Sequence, residues 1–474
     1  MKKIIKYTFI SLFILGISGC EKLEDFGDTN VNPNGAEKPI IGALLTNVSA
    51  TVGGFAAQTR PGLYGQYFSE TQYTDVSLYS APQLDFVGTY AGPLNDLQNI
   101  IDQNQSKNMA TIAKILQQYI FWTITDRWGD VPYTEALKGI TTPKYDSQET
   151  IYKGMIASLA KSVTEFDNSL ITGDILYNGD VASWKRLANS LRMLMAVQLS
   201  NKFPAASGYA ATEFKAALSD AAGYIALNAQ NFKVNYPGGN YKNNWWSAYD
   251  GRKDYAESKT MTDLMASLGD SRQNAFGGAT QDQTTSNAST TSNVGVPYGV
   301  TRTKAEAFTG ANTGWARILR GDLRTESSPL IVISAAQVAL ARAEAANYGW
   351  TTENLQAVYG QGIALSFEQF GETMPASYLT QANVVLDGTD NLKKISTQRY
   401  IASYPDGLQA WNIWRKSGFP VLIAAPDATN SSKQIPTRYT YATGEYTSNK
   451  ANVEAAVTAL SGGDKQDSKV WWDQ

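Results

Sequence analysis

Apolar residues recur at intervals of three and four along much of the chain, which is the spacing of one face of an α-helix. Three such stripes predict amphipathic helices, and their members are Ile112, Ile115, Leu116, Tyr119 and Ile120, then Ile151, Met155, Leu159, Val163, Phe166 and Leu170, and then Trp184, Leu187, Leu191, Leu194 and Met195. We interpret each stripe as the side of a helix that packs into the core.

Two further helices are marked by their end signals. Ser334 and Gln337 form a capping-box pattern at the start of one helix, and Gly349 follows its end. The other runs from near Leu408 to Lys416 and is closed by Gly418 and Pro420.

Pairs of helices joined by short turns predict an all-α, tetratricopeptide-like superhelix with long irregular loops. The repeat period is irregular, so an irregular helical domain is the alternative. Residues 277–299 are polar and lack a period, and we expect them to form a mobile loop.

The N-terminus has the pattern of an export signal. Lys2, Lys3 and Lys6 precede an uncharged apolar stretch that ends in Ile17-Ser18-Gly19-Cys20. This ending resembles the lipobox of bacterial lipoproteins, in which the cysteine is acylated; a plain secretory signal with an incidental cysteine is the alternative. We therefore predict a signal peptide at residues 1–19, an acylated leader at 20–40 and one domain at 41–474.

The leader starts with an acidic run at Glu21, Glu24 and Asp25. This run resembles the surface-export signal of Bacteroidetes lipoproteins, and a generic solvated tether is the alternative. Membrane attachment would come from acyl chains on Cys20, and stable anchoring needs more than one chain.

Composition excludes several chemistries. The chain of 474 residues has no histidine and one cysteine, so catalytic triads, histidine-ligated zinc and cysteine-based metal sites are not available. The formal net charge of −3 offers no basic excess, which argues against nucleic acid as a partner. We predict no cofactor and no metal.

Three motifs resemble catalytic or metal-binding motifs, and for each there is a reason to prefer an interpretation without such a function. Ser158 and Lys161 have the Ser-x-x-Lys spacing but lack the companion motifs of that enzyme class. The carboxylates Asp126, Asp130 and Glu135 could serve a glycosidase, or could belong to a helix end and turn. The oxygen-rich residues 387–391 could bind calcium, or form an ordinary turn.

Several blocks resemble the SusD/RagB family of nutrient-binding outer-membrane lipoproteins. They are residues 126–136 (DRWGDVPYTEA), 180–192 (DVASWKRLANSLR), 341–350 (ARAEAANYGW), 397–402 (TQRYIA), 407–420 (GLQAWNIWRKSGFP), 436–441 (PTRYTY) and 471–473 (WWD). The 397–420 region is most similar to a SusD-like subgroup distinct from the starch-binding archetype, which leaves the ligand class open. Within these blocks we expect Trp128, Trp411, Trp414, Arg415 and Arg438 to be core or supporting residues.

The resemblance implies one helical domain whose loops carry the ligand site. It also implies a non-enzymatic protein that is anchored at the outer membrane and exposed at the cell surface. Such a protein captures an oligosaccharide or peptide and passes it to a SusC-like TonB-dependent transporter.

Exposed aromatic rings beside polar groups suit a sugar, which has an apolar face and a polar rim. The chain contains 11 Trp and 26 Tyr, so some rings can be spared from the core. We predict that the ligand-binding residues come from two loop clusters and two later positions, namely Arg60, Tyr64, Tyr67, Tyr73, Asp75, Tyr79, Asn244, Trp245, Trp246, Tyr249, Tyr298 and Trp315. These aromatics could instead fix the loops onto the scaffold.

Three functional hypotheses follow from the sequence. The first is a binding lipoprotein, the second is a surface glycosidase that uses paired carboxylates, and the third is a structural lid with no ligand affinity of its own.

Overall fold

The computed structural model describes residues 39–80 and 84–474, and the predicted signal and Cys20 lie outside them. The α-helices in the first half are α1 (Ile41–Thr51), α2 (Gly53–Ala56), α3 (Thr59–Tyr64), α4 (Val87–Thr89), α5 (Asn95–Gln103), α6 (Lys107–Trp128), α7 (Gln148–Glu165), α8 (Val181–Gln198) and α9 (Tyr209–Leu218). Those in the second half are α10 (Asn244–Ser247), α11 (Lys259–Ser267), α12 (Gln273–Phe276), α13 (Arg302–Ala311), α14 (Ala335–Asn347), α15 (Leu355–Gln369), α16 (Asn391–Ala402), α17 (Gly407–Ser417), α18 (Thr443–Ser448) and α19 (Lys450–Thr458).

The long helices pack against their neighbours in chain order. Helix α5 packs on α6, α6 on α7, α7 on α8 and α8 on α9. Helix α14 then packs on α8, α15 and α16, and α17 packs on both α16 and α3. The predicted all-α, tetratricopeptide-like arrangement is confirmed. In the part of the chain that the structure describes, no helix has both the length and the apolar character needed to cross a bilayer.

The predicted helix ends are correct where a capping signal marks them. The Ser334 hydroxyl accepts the amide N–H of Gln337 at 3.1 Å, and the Gln337 side-chain oxygen accepts the Ser334 N–H at 2.9 Å. Helix α17 ends at Gly418, which has a left-handed φ of 75°. Glycine adopts this conformation without the steric penalty that a Cβ would bring.

The predicted second stripe extends too far. Helix α7 ends at Glu165, and Leu170 is 75% exposed instead of lying in the core. The Asn108 amide explains the early end, because it accepts from the Asp167 N–H at 2.8 Å and donates to the Ser169 carbonyl at 2.7 Å. These bonds hold residues 167–169 out of the helix and against α6.

Short antiparallel strand pairs join distant loops. The strands are β1 (Phe68–Glu70), β2 (Val131–Pro132), β3 (Tyr145–Asp146), β4 (Phe232–Val234), β5 (Tyr255–Glu257), β6 (Gly277–Gly278), β7 (Arg317–Ile318) and β8 (Leu330–Ile333). The pairs are β1 with β5, β2 with β3, β4 with β8 and β6 with β7. Only the β2–β3 pair is local, so the other three fix loops that are far apart in the sequence.

The segment 277–299, predicted to be mobile, is instead anchored to its neighbours. Arg317 donates to the Ala279 carbonyl at 2.7 Å, and Arg324 donates to the Thr280 carbonyl at 2.8 Å. The Gln281 side chain donates to the Tyr249 carbonyl at 3.0 Å. Hydrogen bonds from buried guanidinium groups therefore add to the packing of Val296 and Tyr298, which are buried within this segment.

Candidate functional site

The structure brings the two predicted aromatic clusters together. Strand β1 follows α3 and pairs with β5, which follows the second cluster. The pairing continues past the strands, because the Thr71 N–H donates to the Asp254 carbonyl at 2.9 Å. The Gln72 amide also donates to the Asp254 carboxylate at 2.5 Å. Residues 71 and 72, within the first cluster, therefore adjoin Asp254, which follows the second cluster in the sequence.

Most of the predicted ligand-binding rings are buried. They are Tyr64, Tyr67, Tyr79, Trp245, Tyr249, Tyr298 and Trp315. In this structure, protein atoms cover these rings, so they form the base on which the exposed loops rest.

The buried tyrosines at the base use their hydroxyls internally. The Tyr67 hydroxyl donates to the Tyr400 carbonyl. Tyr79 accepts the N–H of Ala425 at 2.8 Å, and Tyr298 donates to the Tyr79 hydroxyl at 3.4 Å. These bonds tie β1 and the following turn to the C-terminal third of the chain.

The remaining buried rings pack against other rings or guanidinium groups. Tyr64 lies 5.4 Å from the Trp411 ring, and half-buried Arg60 donates to the Tyr64 hydroxyl at 3.3 Å. Trp245 packs on Phe68 at 5.4 Å. Aromatic pairs of this kind stabilise the fold by roughly 0.5–1.5 kcal/mol beyond the area that they bury.

Arginine groups lie over two of these rings. The Arg317 guanidinium lies 3.8 Å from the centre of the Trp315 ring, and Arg324 lies 4.2 Å from that of Tyr249. The Tyr249 hydroxyl accepts the Ile318 N–H at 2.8 Å and donates to the Tyr255 carbonyl at 2.9 Å. Burial raises the pKa of Tyr249 to about 12, so it stays a neutral donor at physiological pH.

Five predicted residues are at least partly accessible to solvent. Tyr73 is 57% exposed, Asp75 and Asn244 are exposed, and Arg60 and Trp246 are half-buried. Tyr241, which neighbours the second cluster in the sequence, is 56% exposed. The structure thus divides the predicted set into a buried base and an accessible rim.

Cationic side chains accompany the exposed rings. The Arg302 guanidinium, from the first turn of α13, lies 5.6 Å from the centre of the Tyr73 ring. The Lys242 ammonium lies 3.8 Å from that of Trp246. Arg252 forms an ion pair at 2.8 Å with Asp254, the residue to which the Gln72 amide donates. We call Tyr73, Trp246, Arg252 and Arg302 the aromatic surface.

The segment that carries this surface is held from behind. The Gln281 amide donates to the carbonyls of Tyr249 and Arg252, and the Gln283 amide donates to that of Trp246. Asn243 fixes the start of α10, because its side chain accepts the Trp245 N–H at 2.7 Å and donates to the Ser328 carbonyl at 2.9 Å. Trp246 and Arg252 are therefore positioned before any ligand arrives.

The sequence did not identify Lys242, Arg252 and Arg302 as parts of the site. Lys242 and Arg252 lie on either side of the second predicted cluster in the sequence, and this proximity could have identified them as candidate site residues. Arg302 is separated from Tyr73 by more than two hundred residues and meets it only through the fold. No local pattern marks such a pair.

A large cleft is formed by other parts of the described chain. It has a volume of about 670 Å³ and lies between α11, α16 and residues 420–422. Its lining contains no aromatic ring. Volume alone would favour this cleft as a ligand site, whereas ring exposure favours the aromatic surface.

The carboxylate cluster is not arranged for catalysis. Asp126 is fully buried, and its carboxylate accepts bonds from Tyr152 at 2.5 Å, Asn412 at 2.5 Å and Trp472 at 3.0 Å. Burial raises its pKa to about 6. A general acid must come within hydrogen-bond distance of its substrate, and these donors occupy the Asp126 carboxylate.

The other two carboxylates of the cluster also have structural partners. Asp130 accepts the Gln148 N–H at 2.8 Å, and Glu135 accepts the Lys144 N–H at 2.8 Å. Burial raises the pKa of Asp130 to about 6. These contacts fit the helix-end and turn interpretation of residues 126–135.

The oxygen-rich residues 387–391 form a turn around a lysine. The Asp387 carboxylate accepts the Thr389 N–H at 2.9 Å and the Lys394 ammonium at 3.0 Å. The ammonium thus lies beside the oxygens that would otherwise attract a calcium ion. No group of metal-binding side chains occurs among residues 39–80 and 84–474.

Comparison with known proteins identifies relatives over most of the chain. A family model for SusD-like proteins, described as starch-binding and associating with the outer membrane, matches residues 33–442. No curated protein matches the sequence.

Solved structures share the fold. A SusD homolog from Bacteroides uniformis is 26% identical, with a TM-score of 0.79, covering 92% of this chain and 99% of that one. A chitin-binding protein is 25% identical, with a TM-score of 0.75, covering 92% of this chain and 100% of that one. A chitin-binding SusD homolog from Flavobacterium johnsoniae is 22% identical, with a TM-score of 0.79 and coverage of 92% and 98%, respectively. With the family match spanning residues 33–442, the chain belongs to the SusD/RagB family, in its SusD-like branch.

Proposed function

We propose that this protein is a cell-surface receptor that captures an oligosaccharide at the aromatic surface. It hands the captured ligand to a SusC-like TonB-dependent transporter, while acyl chains on Cys20 hold it to the outer membrane. It makes or breaks no covalent bond in the ligand.

The observation that carries this proposal is the exposed ring of Tyr73 between charged groups. The ring is 57% exposed, Arg302 lies 5.6 Å from its centre, and the preceding residue, Gln72, donates to Asp254 of the Arg252–Asp254 ion pair. A sugar ring stacks its apolar face on such a surface, and its hydroxyls bond to neighbouring guanidinium and carboxylate groups. Trp246 and Asn244 offer a second contact of the same kind.

Three features support this proposal. The family description includes association with the outer membrane. The motif Ile17-Ser18-Gly19-Cys20 supplies an acylation site at the N-terminus. Two structurally similar proteins are named as chitin-binding, which supports a polysaccharide-derived ligand. A receptor that only binds needs a partner to move its ligand, and a SusC-like transporter is that partner.

The glycosidase hypothesis has little support from the structure. The paired carboxylates that it requires are already bonded to structural donors, and Asp126 is fully buried. A retaining or inverting glycosidase needs both carboxyl groups beside the scissile bond.

The proposal is tested by calorimetric titration of the purified protein with maltooligosaccharides, chitooligosaccharides and peptides, followed by product analysis. We expect saturable binding of one oligosaccharide series without cleavage. Replacing the ring by Tyr73→Ala should weaken binding about tenfold or more, and each factor of ten corresponds to about 1.4 kcal/mol.

The matched control is Tyr73→Phe, which keeps the ring and removes only the hydroxyl, and which should bind nearly as well as the wild type. Binding of peptides alone would change the ligand class. Cleavage of any ligand would contradict the receptor role, and absence of binding would leave the structural-lid hypothesis.

A further inference from the structure

Polar side chains form part of the lining of the cleft of about 670 Å³ between α11, α16 and residues 420–422. Hydroxyl and amide side chains line it, namely Thr260, Ser267, Asn383, Thr389 and Thr397. Asp390 and Lys393 also line it, are exposed, and form no ion pair with the residues that the structure describes. Cavities of roughly 300–1,000 Å³ are the usual size of small-ligand sites.

One loop connects this cleft to the aromatic surface. Residues 420–422 form a wall of the cleft, and Asp427, a few residues later, forms an ion pair with Lys304 at 2.7 Å. Lys304 lies in the first turn of α13, two positions after Arg302, which lies over Tyr73. The two sites therefore lie at the two ends of the same loop.

The middle of this loop is apolar and uncovered. Val421 is 70% exposed and Ile423 is 79% exposed. The loop is held in place by Gln66, whose amide donates to the Ile423 carbonyl at 2.7 Å and accepts from the Thr260 hydroxyl at 3.0 Å. Isolated exposed apolar residues are common, but here Val421 lines the cleft and Ile423 follows it along the loop that leads to Asp427.

The chain limits the length of the loop between the sites. Asp427 lies six positions after Val421, so their Cα atoms lie at most about 20 Å apart, even for a fully extended chain. A ligand that contacts Tyr73 and also enters the cleft has to span this loop, and a longer oligomer reaches further along it than a monosaccharide does.

We propose that the cleft is a second subsite for the same oligosaccharide, so that the receptor selects its ligand by chain length. This inference rests on the proposed function. One part of the oligomer stacks on the aromatic surface, its apolar faces cross Val421 and Ile423, and a distal unit bonds to the hydroxyl and amide groups of the cleft. Two linked contacts bind more tightly than either alone, because the second forms within the complex.

The test is calorimetric titration of the full-length protein in detergent with chitooligosaccharides and maltooligosaccharides, from the disaccharide to the octasaccharide. For the series that binds, we expect affinity to rise with length, and to level off once the ligand spans both subsites. Ser267→Trp places a large ring in the cleft from an exposed helix end. It should weaken binding of the longest ligand about tenfold and leave the shortest binding ligand unchanged.

A second cleft variant and a matched control complete the test. Asn383→Trp fills the same cleft from the opposite wall and should reproduce the result. Ser448→Trp is the control, because Ser448, like Ser267, is an exposed last residue of a helix whose hydroxyl donates to a carbonyl in its own helix. It should bind every length as the wild type does.

The outcomes separate this inference from the proposed function. If the wild type binds oligosaccharide but both cleft variants keep the full advantage of long ligands, the second subsite is refuted and the receptor role stands. An equal loss for short and long ligands also refutes it. If the wild type binds no oligosaccharide, both proposals fail.

Discussion

Glu257 lies in the core, and only one of its two carboxyl oxygens accepts a hydrogen bond from the described residues. It is fully buried, one oxygen accepts the Gln273 amide at 2.7 Å, and the other has no partner among the described residues. Burial raises its pKa from 4.5 to about 8. The folded protein therefore carries Glu257 as a neutral acid at physiological pH.

This titration predicts that stability falls as the pH rises. Between pH 4.5 and about 8 the folded state keeps a proton that the unfolded state has released. The free energy of unfolding then decreases with pH. Glu257→Gln removes this contribution, so the variant should lose less stability than the wild type across the window, by on the order of a few kcal/mol. Urea unfolding at a series of pH values measures the free energy of unfolding of the wild type and of the variant.

An exposed carboxylate provides the control for this prediction. Glu454 has a side chain that is 55% exposed, and Glu454→Gln should leave the pH dependence of the wild type unchanged. Burial also raises the pKa of other acids, such as that of Glu70 to about 7. These acids contribute equally to the pH dependence of stability in the wild type and in Glu257→Gln. Parallel curves for the wild type and Glu257→Gln would contradict the assignment.

For individual residues, the sequence predicted which side chains belong to the core better than it predicted which loop rings are exposed. Trp128, Trp411, Arg415 and Arg438 are buried, as their sequence blocks indicated, and Trp414 is half-buried. Tyr64 and Tyr73 lie in one predicted cluster, yet one ring is covered and the other is open. The Tyr64 ring packs on Trp411, which is remote in the sequence, so the local pattern does not show that this ring is covered.

Helices were predictable where local chemistry fixes them. The capping box at Ser334 and the left-handed Gly418 set the ends of α14 and α17 without help from the rest of the chain. Helix α7 shows the limit, because its end depends on Asn108 of another helix. Segment 277–299 shows the same limit, because its order comes from Arg317 and Arg324, which lie beyond it.

We expect Arg324 to control the order of segment 277–299. Arg324 is fully buried and donates to the carbonyls of Leu319, Thr280 and Gln281. Arg324→Lys keeps the charge but cannot reproduce the planar fork of donors. Amide hydrogen exchange within residues 279–289 should become faster, since the lost bonds lower the free energy of local opening. Mass spectrometry of peptic fragments measures this change.

The control for this element is Arg302→Lys. Arg302 is exposed and pairs with the Glu306 side chain at 2.7 Å, instead of bonding to a carbonyl. Its replacement should leave exchange in residues 279–289 unchanged. If Arg324→Lys also left it unchanged, the segment would be ordered mainly by its strand pairing and by the bonds from Arg317.

The fold as a whole is closed by contacts that join each end region of the described chain to a distant part of the sequence. Tyr67, near the start, donates to the carbonyl of Tyr400, and Trp472, near the end, donates to Asp126 in α6 at 3.0 Å. Periodicity predicted the helical class, and the ordered sequence blocks indicated the family. Neither gave the strand pairs that join the two aromatic clusters, because such pairs depend on chain closure over almost two hundred residues.

We therefore expect the C-terminal tryptophan to stabilise the whole molecule. Trp472 is fully buried, and the Arg415 guanidinium lies 4.6 Å from its ring centre. Trp472→Ala leaves a cavity and unpaired polar groups around Asp126, at a cost of about 3–5 kcal/mol. The adjacent Trp471 is half-buried, so Trp471→Ala should cost much less. Urea unfolding followed by tryptophan fluorescence and by circular dichroism should show one transition, shifted equally for both probes. Separate transitions in Trp472→Ala would show instead that the C-terminus stabilises only its own surroundings, and that the helical array unfolds independently of it.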